Sequence, residues 1–476
     1  MAKRFFSFFL VLMMLAGVIF SVTGIPGLEL RGEEEEESDL QPSLSKTTLI
    51  LWYTDDALTD YLNREAARFN DASEDVRVIP VEKDGLGFLE EIGAASANDG
   101  DFPDLYITTH DNLEKAALAG LAAEVEHAED ILRGEHYCDA ALSAVSWRGK
   151  KIAYPFYAET VALLYNRTYL EDAAKLHAVE DQEDPDDAEL IEKRVAASLP
   201  ETLTDLLDFA GHYNAPEQVE AVFEFDISDL FTDYFFAGDA INVGGPDGDD
   251  PDSFDLYNER TLVCMDIFQQ MGQFFAADPD ELNSDKVLTD LLEGRTVFTI
   301  ATTDAVRRIA QAVSSEECPY TFGTMELMKL TDDLDTRALS VTNCIVINGF
   351  SSHAEAANRF ARFLLDDGTD ELYTRAGKMA AKYRADFGDD PLVSEMMQAY
   401  VSGYGHSVSM PKMIATSNFW VRLEVAYTDI WNGADVNETM RQVAEVLLSQ
   451  IRGTPVTVDP IETPEQISIS ADLPED

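Results

Sequence analysis

Two groups of polar side chains in the sequence each come directly after an apolar run. The first group occupies residues 53–56 and includes Asp56, and the second occupies residues 108–112 and includes Thr108 and Asp111. Their carboxylate and hydroxyl oxygens are suited to hydrogen bonds with a polar ligand. Both aspartates also precede a predicted helix, where a carboxylate can cap free backbone N–H groups. Ligand binding and helix capping are therefore both open interpretations of Asp56 and Asp111.

The sequence lacks the motifs of several common enzyme classes. It contains no Gly-x-Ser-x-Gly elbow, no His-Glu-x-x-His helix and no phosphate-binding glycine loop. Paired carboxylates suit the acid–base chemistry of a glycosidase, but in a chain with 90 Asp and Glu residues such pairs arise by chance. The sequence therefore predicts no catalytic residue and no cofactor, and an extracellular glycoside-acting enzyme is the alternative.

Residues 247–255 form the densest acidic stretch inside the predicted fold, with five aspartates in nine positions. Calcium binding is one interpretation of this stretch. The glycine at the sixth position and the closing glutamate of an EF-hand loop are missing, however. We interpret the segment as a solvated acidic turn, and we predict no metal site.

Apolar runs and helical patterns alternate through the first part of the chain. The predicted strands are residues 47–53, 76–81 and 104–107, and the helices between and after them are residues 58–69, 88–95 and 111–119. Such alternation predicts an α/β fold with a parallel sheet and helices on both of its faces. Sheets of this kind bind ligands at the carboxyl ends of their strands, which is where both polar groups lie.

The rest of the chain is predicted to contain more helix. A mainly polar, acidic stretch at residues 171–200 is interpreted as a surface insertion. Further strands are predicted at residues 297–300 and 344–347, and further helices at residues 160–170, 353–365, 418–431 and 436–451.

The charge balance excludes two classes of partner. The chain has 476 residues, with 34 Lys and Arg against 90 Asp and Glu, so its formal net charge is −56. Binding to nucleic acid needs a basic footprint, and attachment to anionic lipid needs a polybasic segment. With 46% hydrophobic and 10% aromatic residues, the chain can nevertheless form sizeable cores.

Both ends of the chain are predicted to lie outside the fold. Lys3 and Arg4 precede an uncharged stretch at residues 5–28, which is the layout of a secretory signal. This stretch is also long enough to cross a bilayer about 30 Å thick, so residues 1–28 are either a signal peptide or a membrane anchor. Residues 29–46 are predicted to be an acidic linker, and residues 454–476 a loosely ordered acidic tail.

The four cysteines are Cys138, Cys264, Cys318 and Cys344. None of them forms a Cys-x-x-Cys pair, and their separations fit no zinc pattern. A chain of this length needs no disulfides to build a core. We predict four mostly buried thiols, with one disulfide as the alternative.

Four segments, in order along residues 47–451, resemble the large bacterial solute-binding proteins of the maltose-binding type, which deliver sugars to ABC importers. The third segment, WRGKKIAYPFYAE at residues 147–159, is the most specific of them. The others are residues 49–56, residues 103–111 with 119–121, and residues 410–411 with 418–420 and 436–440.

The resemblance implies a two-lobed periplasmic-binding-protein fold of type II with a ligand cleft between the lobes. Lobe 1 would comprise residues 47–156 and 340–380, and lobe 2 residues 157–339 and 381–453. The chain would cross between the lobes near residues 154–159, 339–342 and 379–383. The implied protein is an exported monomer on the extracellular face of a bacterial membrane or in the periplasm. Its partners would be a small solute, expected to be a sugar, and an ABC permease.

The resemblance also implies candidate ligand contacts. Asp56 and Asp111 match polar contacts of the first lobe, and Glu159 matches the carboxylate at the floor of the cleft. Tyr157 lies on the same crossing segment, and Trp420 matches the stacking aromatic of the second lobe. The alternative for Glu159 is the start of a helix, and the alternative for Trp420 is a place in the core.

Four positions depart from the pattern of the maltose binder. Thr108, Leu230 and Asp233 stand where that protein has aromatic rings, and Asp304 falls near a fourth ring position. The cleft is therefore predicted to have less stacking surface and more carboxylates. This favours a smaller or more polar polyhydroxylated ligand, or a cationic one.

Overall fold

The computed structural model describes residues 46–98, 102–275, 279, 281–315 and 318–469. The predicted signal peptide or anchor lies outside these residues, as do the predicted linker up to Ser45 and the end of the predicted tail after Ile469. Within the described ranges, no helix is both long enough and apolar enough to cross a membrane.

The described residues form an α/β structure, as predicted. Its strands are β1 Thr47–Tyr53, β2 Val76–Glu82, β3 Leu105–Thr109, β4 Ser146–Trp147, β5 Lys150–Lys151, β6 Tyr154–Glu159, β7 Val161–Asn166, β8 Ala221–Glu224, β9 Asn242–Val243, β10 Phe254–Asp255, β11 Thr296–Thr302, β12 Phe322–Met325, β13 Leu339–Ile347, β14 Met379–Ala380 and β15 Val408–Ser409. Its α-helices are α1 Thr59–Ala72, α2 Phe88–Ala97, α3 Leu113–Leu118, α4 Ala128–Ile131, α5 Asp139–Ala144, α6 Arg167–Glu180, α7 Ala188–Ser198, α8 Leu203–His212, α9 Leu230–Asp233, α10 Glu259–Phe275, α11 Ser284–Leu292, α12 Asp304–Ser314, α13 Ala354–Phe363, α14 Leu372–Ala376, α15 Pro391–His406, α16 Phe419–Trp431 and α17 Val436–Arg452.

The larger of the two main sheets has the strand order β14-β6-β13-β3-β1-β2, with β15 beside β13. Strand β1 is parallel to β2 and to β3, as the strand–helix alternation predicts. Strand β13 is antiparallel to β3 and to β6, so the sheet as a whole is mixed. Its core includes Leu51, Tyr106 and Ile345, which are almost fully buried. Short apolar runs such as β1 therefore lie inside the sheet, where both faces are covered.

The smaller main sheet has the order β12-β7-β11-β8, and its central strand β7 corrects one prediction. Residues 160–170 were predicted to be helical, whereas Val161–Asn166 form a strand and helix α6 begins only at Arg167. All six residues of β7 are buried. A strand buried on both faces gives a continuous apolar run, and such a run has no period that distinguishes it from a buried helix.

The polar stretch at residues 171–200 is mostly exposed, as predicted for a surface segment, but a few of its side chains are buried. It contains most of α6 and all of α7, which bury Ala174, Ala178, Ile191 and Val195 in the core of the smaller sheet. Each helix places a few small or branched side chains inward and its charged side chains outward. Because the apolar positions are few, the average composition of the stretch concealed an amphipathic pattern.

The acidic C-terminal segment is also more ordered than its composition predicts. Helix α17 ends before Gly453, whose φ of 66° suits the left-handed end of a helix. The chain then runs back along the helix, where the N–H of Val456 donates to Ser449 Oγ at 2.8 Å and the N–H of Val458 donates to Glu445 Oε1 at 3.0 Å. Residues 454–469 are therefore bonded to the protein rather than loosely ordered.

The acidic stretch at residues 247–255 directs several of its carboxylates to backbone N–H groups. Asp249 Oδ2 accepts from the N–H of Arg148 at 2.6 Å, and Asp250 Oδ1 accepts from that of Asp252 at 3.0 Å. Asp255 Oδ1 accepts from the N–H of Tyr257 at 3.1 Å. Hydrogen bonding of this kind is typical of a turn, and it accounts for these aspartates without an ion.

The four cysteines all lie in the described ranges and are free thiols. Cys138, Cys264 and Cys344 are buried, and Cys318 is partly buried. The prediction of mostly buried thiols is confirmed, and the disulfide alternative is not.

A close approach of two backbone segments makes Gly349 sensitive to substitution. A Cβ atom at this position would lie 2.3 Å from the carbonyl oxygen of Gly120, and a backbone atom cannot move aside as a flexible side chain can. We expect Gly349→Ala to lower the free energy of unfolding by about 1–3 kcal/mol, measured by urea denaturation. Gly134→Ala is the matched control, because a Cβ there meets no atom within 4 Å. Equal stability of the two variants would contradict the prediction.

Candidate functional site

Two cavities meet where the chain passes from the larger sheet to the smaller one. Glu159 is the last residue of β6, and after Thr160 the chain enters β7 of the other sheet. Glu159 pairs with Val341 of β13, and these two residues line both cavities. The first cavity has a volume of about 550 Å³ and the second about 410 Å³. Because they share these two lining residues, the two cavities are taken together as one candidate cleft at the crossing strands.

The wall of the first cavity comes from the ends of β1, β3 and β6. Asp55 follows β1 and caps the 3-10 turn Asp56–Leu58, with its Oδ1 accepting from the N–H of Ala57 at 3.1 Å. Its other oxygen, Oδ2, accepts from the Tyr157 hydroxyl at 3.1 Å and from Lys378 Nζ at 2.8 Å. Burial raises the pKa of Asp55, but the hydrogen bond and charge of Lys378 outweigh it and hold the pKa below its usual value.

Lys378 forms ion pairs with Asp55, which lines the first cavity, and with Glu159, which lines both cavities. Its Nζ lies 2.8 Å from Asp55 Oδ2, 3.3 Å from Glu159 Oε1 and 5.3 Å from the centre of the Tyr157 ring. Burial lowers the pKa of Lys378, but the charges of Glu159 and Asp55 outweigh burial and raise the pKa above its ordinary value. The lysine is therefore a permanent cation that holds two carboxylates at the crossing.

The second cavity has an aromatic face. The rings of Trp420 and Phe231 stack with their centres 5.9 Å apart and their planes at 25°. The indole N–H of Trp420 donates to Glu424 Oε1 at 3.2 Å, one turn along α16. Asp229, Asp304 and Lys378 also line this cavity. An aromatic face beside carboxylates can cover the C–H surface of a sugar ring and accept hydrogen bonds from its hydroxyl groups.

Five of the eight predicted contacts line the cleft. Thr108, Tyr157 and Glu159 line the first cavity, and Glu159, Asp304 and Trp420 line the second. All five remain predicted ligand contacts.

The other three predicted contacts line neither cavity. Asp56 is exposed in the first turn after β1, and Asp111 is partly buried in the 3-10 turn His110–Asn112. Asp233 is only 1% exposed, and its Oδ1 has no hydrogen-bond partner. Burial, followed by the charges of Asp226, Asp229 and Glu424, raises its pKa well above the ordinary value. Asp233 is thus a buried carboxyl group rather than a cleft-lining carboxylate.

Several lining residues were missed by the sequence analysis. Asp55 and Asn112 line the first cavity and are the immediate neighbours of the predicted Asp56 and Asp111. In both cases the prediction is therefore one residue away from the residue that lines the cavity. Phe231 lies between Leu230 and Asp233, two of the positions that depart from the pattern of the maltose binder. Lys378 directly precedes the predicted last crossing at residues 379–383, which is the signal that could have identified it.

Comparison with known proteins identifies relatives along most of the chain. Residues 66–378 match the family model described as bacterial extracellular solute-binding protein. A maltotriose-binding protein of Pyrococcus abyssi is 21% identical over an alignment of 374 residues, and the alignment covers 74% of this chain and 72% of the relative.

Solved structures resemble the whole described fold. An extracellular solute-binding protein from Staphylococcus aureus in complex with maltose has a TM-score of 0.69 at 16% identity, covering 85% of this chain and 98% of that one. A maltose-binding periplasmic protein from Listeria monocytogenes in complex with maltose has a TM-score of 0.62 at 17% identity, covering 87% and 100%. These likenesses confirm the predicted two-lobed periplasmic-binding-protein fold. Because the family model matches more than half of its length, the chain belongs to the family of bacterial extracellular solute-binding proteins.

Proposed function

We propose that this protein is the exported, substrate-binding component of an ABC importer, and that it captures a carbohydrate in its cleft for delivery to a membrane permease. The observation that carries the proposal is the cleft at the crossing strands, with the stacked rings of Trp420 and Phe231 on one side and the Asp55–Lys378–Glu159 group on the other. The relatives named above bind maltotriose or were solved with maltose, which supports a saccharide as the ligand.

The cleft suits binding by lobe closure. Glu159 and Val341 belong to the strands at the crossing, and each contacts both cavities. A ligand that touches both sides is bound more tightly when the sides approach, and this difference in affinity favours the closed state. The predicted lobe boundaries and the monomeric state are parts of this proposal.

The Asp55–Lys378–Glu159 group does not suit the glycosidase alternative. The carboxylates of Asp55 and Glu159 both bond to Lys378, which holds them as hydrogen-bond acceptors. A general acid needs a carboxyl group that stays protonated near neutral pH, and within this group the pKa of Asp55 is lowered instead. The relatives named above are binding proteins by name.

The test is a thermal-shift and small-angle X-ray scattering screen of the purified protein with maltose, maltotriose, cellobiose and amino sugars. At a saccharide concentration about 100 times the dissociation constant, binding adds about 2.7 kcal/mol to the free energy of unfolding. We expect at least one saccharide to raise the melting temperature and to reduce the radius of gyration. If none does either, the proposal is wrong, and release of a shorter sugar during incubation would support the enzyme instead.

A further inference from the structure

The carboxylates on the wall of the second cavity outnumber its cations. Three carboxylates line it, from Glu159, Asp229 and Asp304, together with one cation, Lys378. Lys378 is already within ion-pair distance of Glu159 and also of Asp55 in the first cavity. Within the part of the chain that the structure describes, neither Asp229 nor Asp304 forms an ion pair with a Lys, Arg or His side chain.

The residues around Asp229 add to this negative charge. Asp229 Oδ1 accepts from the N–H of Phe231 at 2.9 Å, which holds its carboxyl group at the start of α9. Burial, followed by the negative charges of Asp226 and Glu424, raises the pKa of Asp229, so a cation placed beside it would favour its ionised form. Glu424 accepts a hydrogen bond from Trp420, so its carboxylate is held beside the aromatic face. The Asp304 carboxylate, in turn, accepts from the Thr302 hydroxyl. These contacts fix the carboxylates in place but bring no positive charge.

The aromatic face provides a second feature that suits a cation. A positive group above an indole or phenyl ring is attracted by the negative charge on the face of the ring. Trp420 and Phe231 line the same cavity as Asp229 and Asp304, so a sugar ring stacked there would present its substituents among carboxylates. A hydroxyl substituent would donate one hydrogen bond. An ammonium substituent would donate hydrogen bonds and also supply charge.

We propose that the carbohydrate captured here is an amino sugar, whose protonated amino group binds between Asp229 and Asp304 beside Trp420. This inference rests on the proposed function and names the class of its ligand. When a ligand enters and displaces water, carboxylates without a cationic partner lose hydration that a neutral sugar cannot fully replace. A cationic ligand supplies the missing positive charge, and it also benefits from the −56 net charge during encounter.

The first test compares sugars that differ only in carrying an amino group in place of one hydroxyl group on each ring. Isothermal titration at a pH at which the amino groups are protonated should use two pairs, glucosamine with glucose and the β-1,4-linked glucosamine disaccharide with cellobiose. We expect the amino sugar of at least one pair to bind at least about tenfold more tightly than its neutral partner, as one charge-assisted hydrogen bond predicts. Acetylation of the amino groups should remove this preference.

The second test distinguishes the effect of a carboxylate in the cavity from the effect of the protein's overall negative charge. Asp304→Asn keeps an oxygen that can accept from Thr302 but removes one charge from the cavity. We expect it to weaken binding of the glucosamine disaccharide about tenfold and to change binding of cellobiose less than about twofold. The matched control is Asp172→Asn on α6, an exposed aspartate outside both cavities, which should change neither affinity.

The outcomes distinguish this inference from the proposed function. If glucose and cellobiose each bind as tightly as their amino counterparts, or if neither amino sugar binds, the inference is wrong while a saccharide-binding function stands. If Asp172→Asn weakens binding as much as Asp304→Asn, the preference comes from the general field and the assignment to Asp304 is wrong. Failure of every saccharide, neutral and amino, overturns both.

Discussion

A Trp420→Ala variant is expected to bind saccharides about 100-fold more weakly than the parent protein. The indole stacks on Phe231 and forms part of the wall of the second cavity, so it supplies much of the apolar surface available to a sugar ring. Removal of a central aromatic side chain from a binding site commonly costs 2 kcal/mol or more, and about 2.8 kcal/mol corresponds to a factor of about 100. Isothermal titration with the best saccharide of the screen measures the change directly.

The control for this variant is the next residue along the chain. Val421 lies on the same helix but is 58% exposed and lines neither cavity, so Val421→Ala should leave the dissociation constant unchanged. Circular dichroism melting of both variants checks that α16 still folds. A folded Trp420→Ala protein that binds as tightly as the parent would show that the stacked pair is a packing contact and not a sugar platform.

The polar group after β1 shows how closely the sequence locates a site and where it stops. Residues 53–56 were predicted to contain a ligand contact, and Asp56 was the predicted residue. In the structure, Asp55 caps the turn with one oxygen and presents the other to Tyr157 and Lys378, whereas Asp56 is exposed. Two adjacent aspartates look equivalent in a sequence. The hydrogen bonds of a single turn decide which of them lines the cavity.

The predictable parts of the fold are those that local pattern determines. The strand at residues 47–53 and the helix at residues 436–451 were placed nearly as found. The strand is a short apolar run followed at once by a helical pattern, and the helix has a clear amphipathic period. Strand β7 was mistaken for a helix because every one of its side chains is buried. Its assignment depends on pairing with β11 and β12, which are distant in the sequence.

Lys378 and Phe231 were not predicted for a similar reason. Each obtains its role from a partner far along the chain: Lys378 from Asp55 and Glu159, and Phe231 from Trp420. No spacing within one segment carries that information. The resemblance of short motifs located the crossing strands. Only the structure shows which side chains other segments bring to those strands.

His110 is expected to make the free energy of unfolding depend strongly on pH. This residue joins three separate segments beside the crossing strands. Its Nδ1 accepts from the N–H of Thr342 in β13 at 3.1 Å, so Nε2 carries the proton and donates to the carbonyl of Met410 at 3.1 Å. The ring is fully buried. Burial, with a smaller contribution from the charge of Lys412, lowers the pKa of His110 to about 4, although Asp111 acts in the opposite direction.

A histidine that is neutral when folded and charged when unfolded makes the protein sensitive to acid. Between about pH 6.5 and about pH 4 the unfolded chain binds a proton at this position and the folded protein does not, so the free energy of unfolding falls as the pH falls. The difference in pKa corresponds to about 3 kcal/mol of stability that is present above pH 6.5 and lost on approaching pH 4. The protein should therefore lose this amount of stability on mild acidification.

His110→Gln isolates this contribution, because glutamine offers an amide donor and acceptor but does not titrate. We expect the variant to be less stable than the parent at neutral pH and to show a shallower loss of stability on acidification, so that the two curves converge by about 3 kcal/mol near pH 4. Urea denaturation across this range measures both slopes, and His177→Gln, at an exposed position on α6, should leave the slope unchanged. Parallel curves for His110→Gln and the parent would mean that the pKa of His110 is the same in the folded and the unfolded protein, which would contradict the prediction.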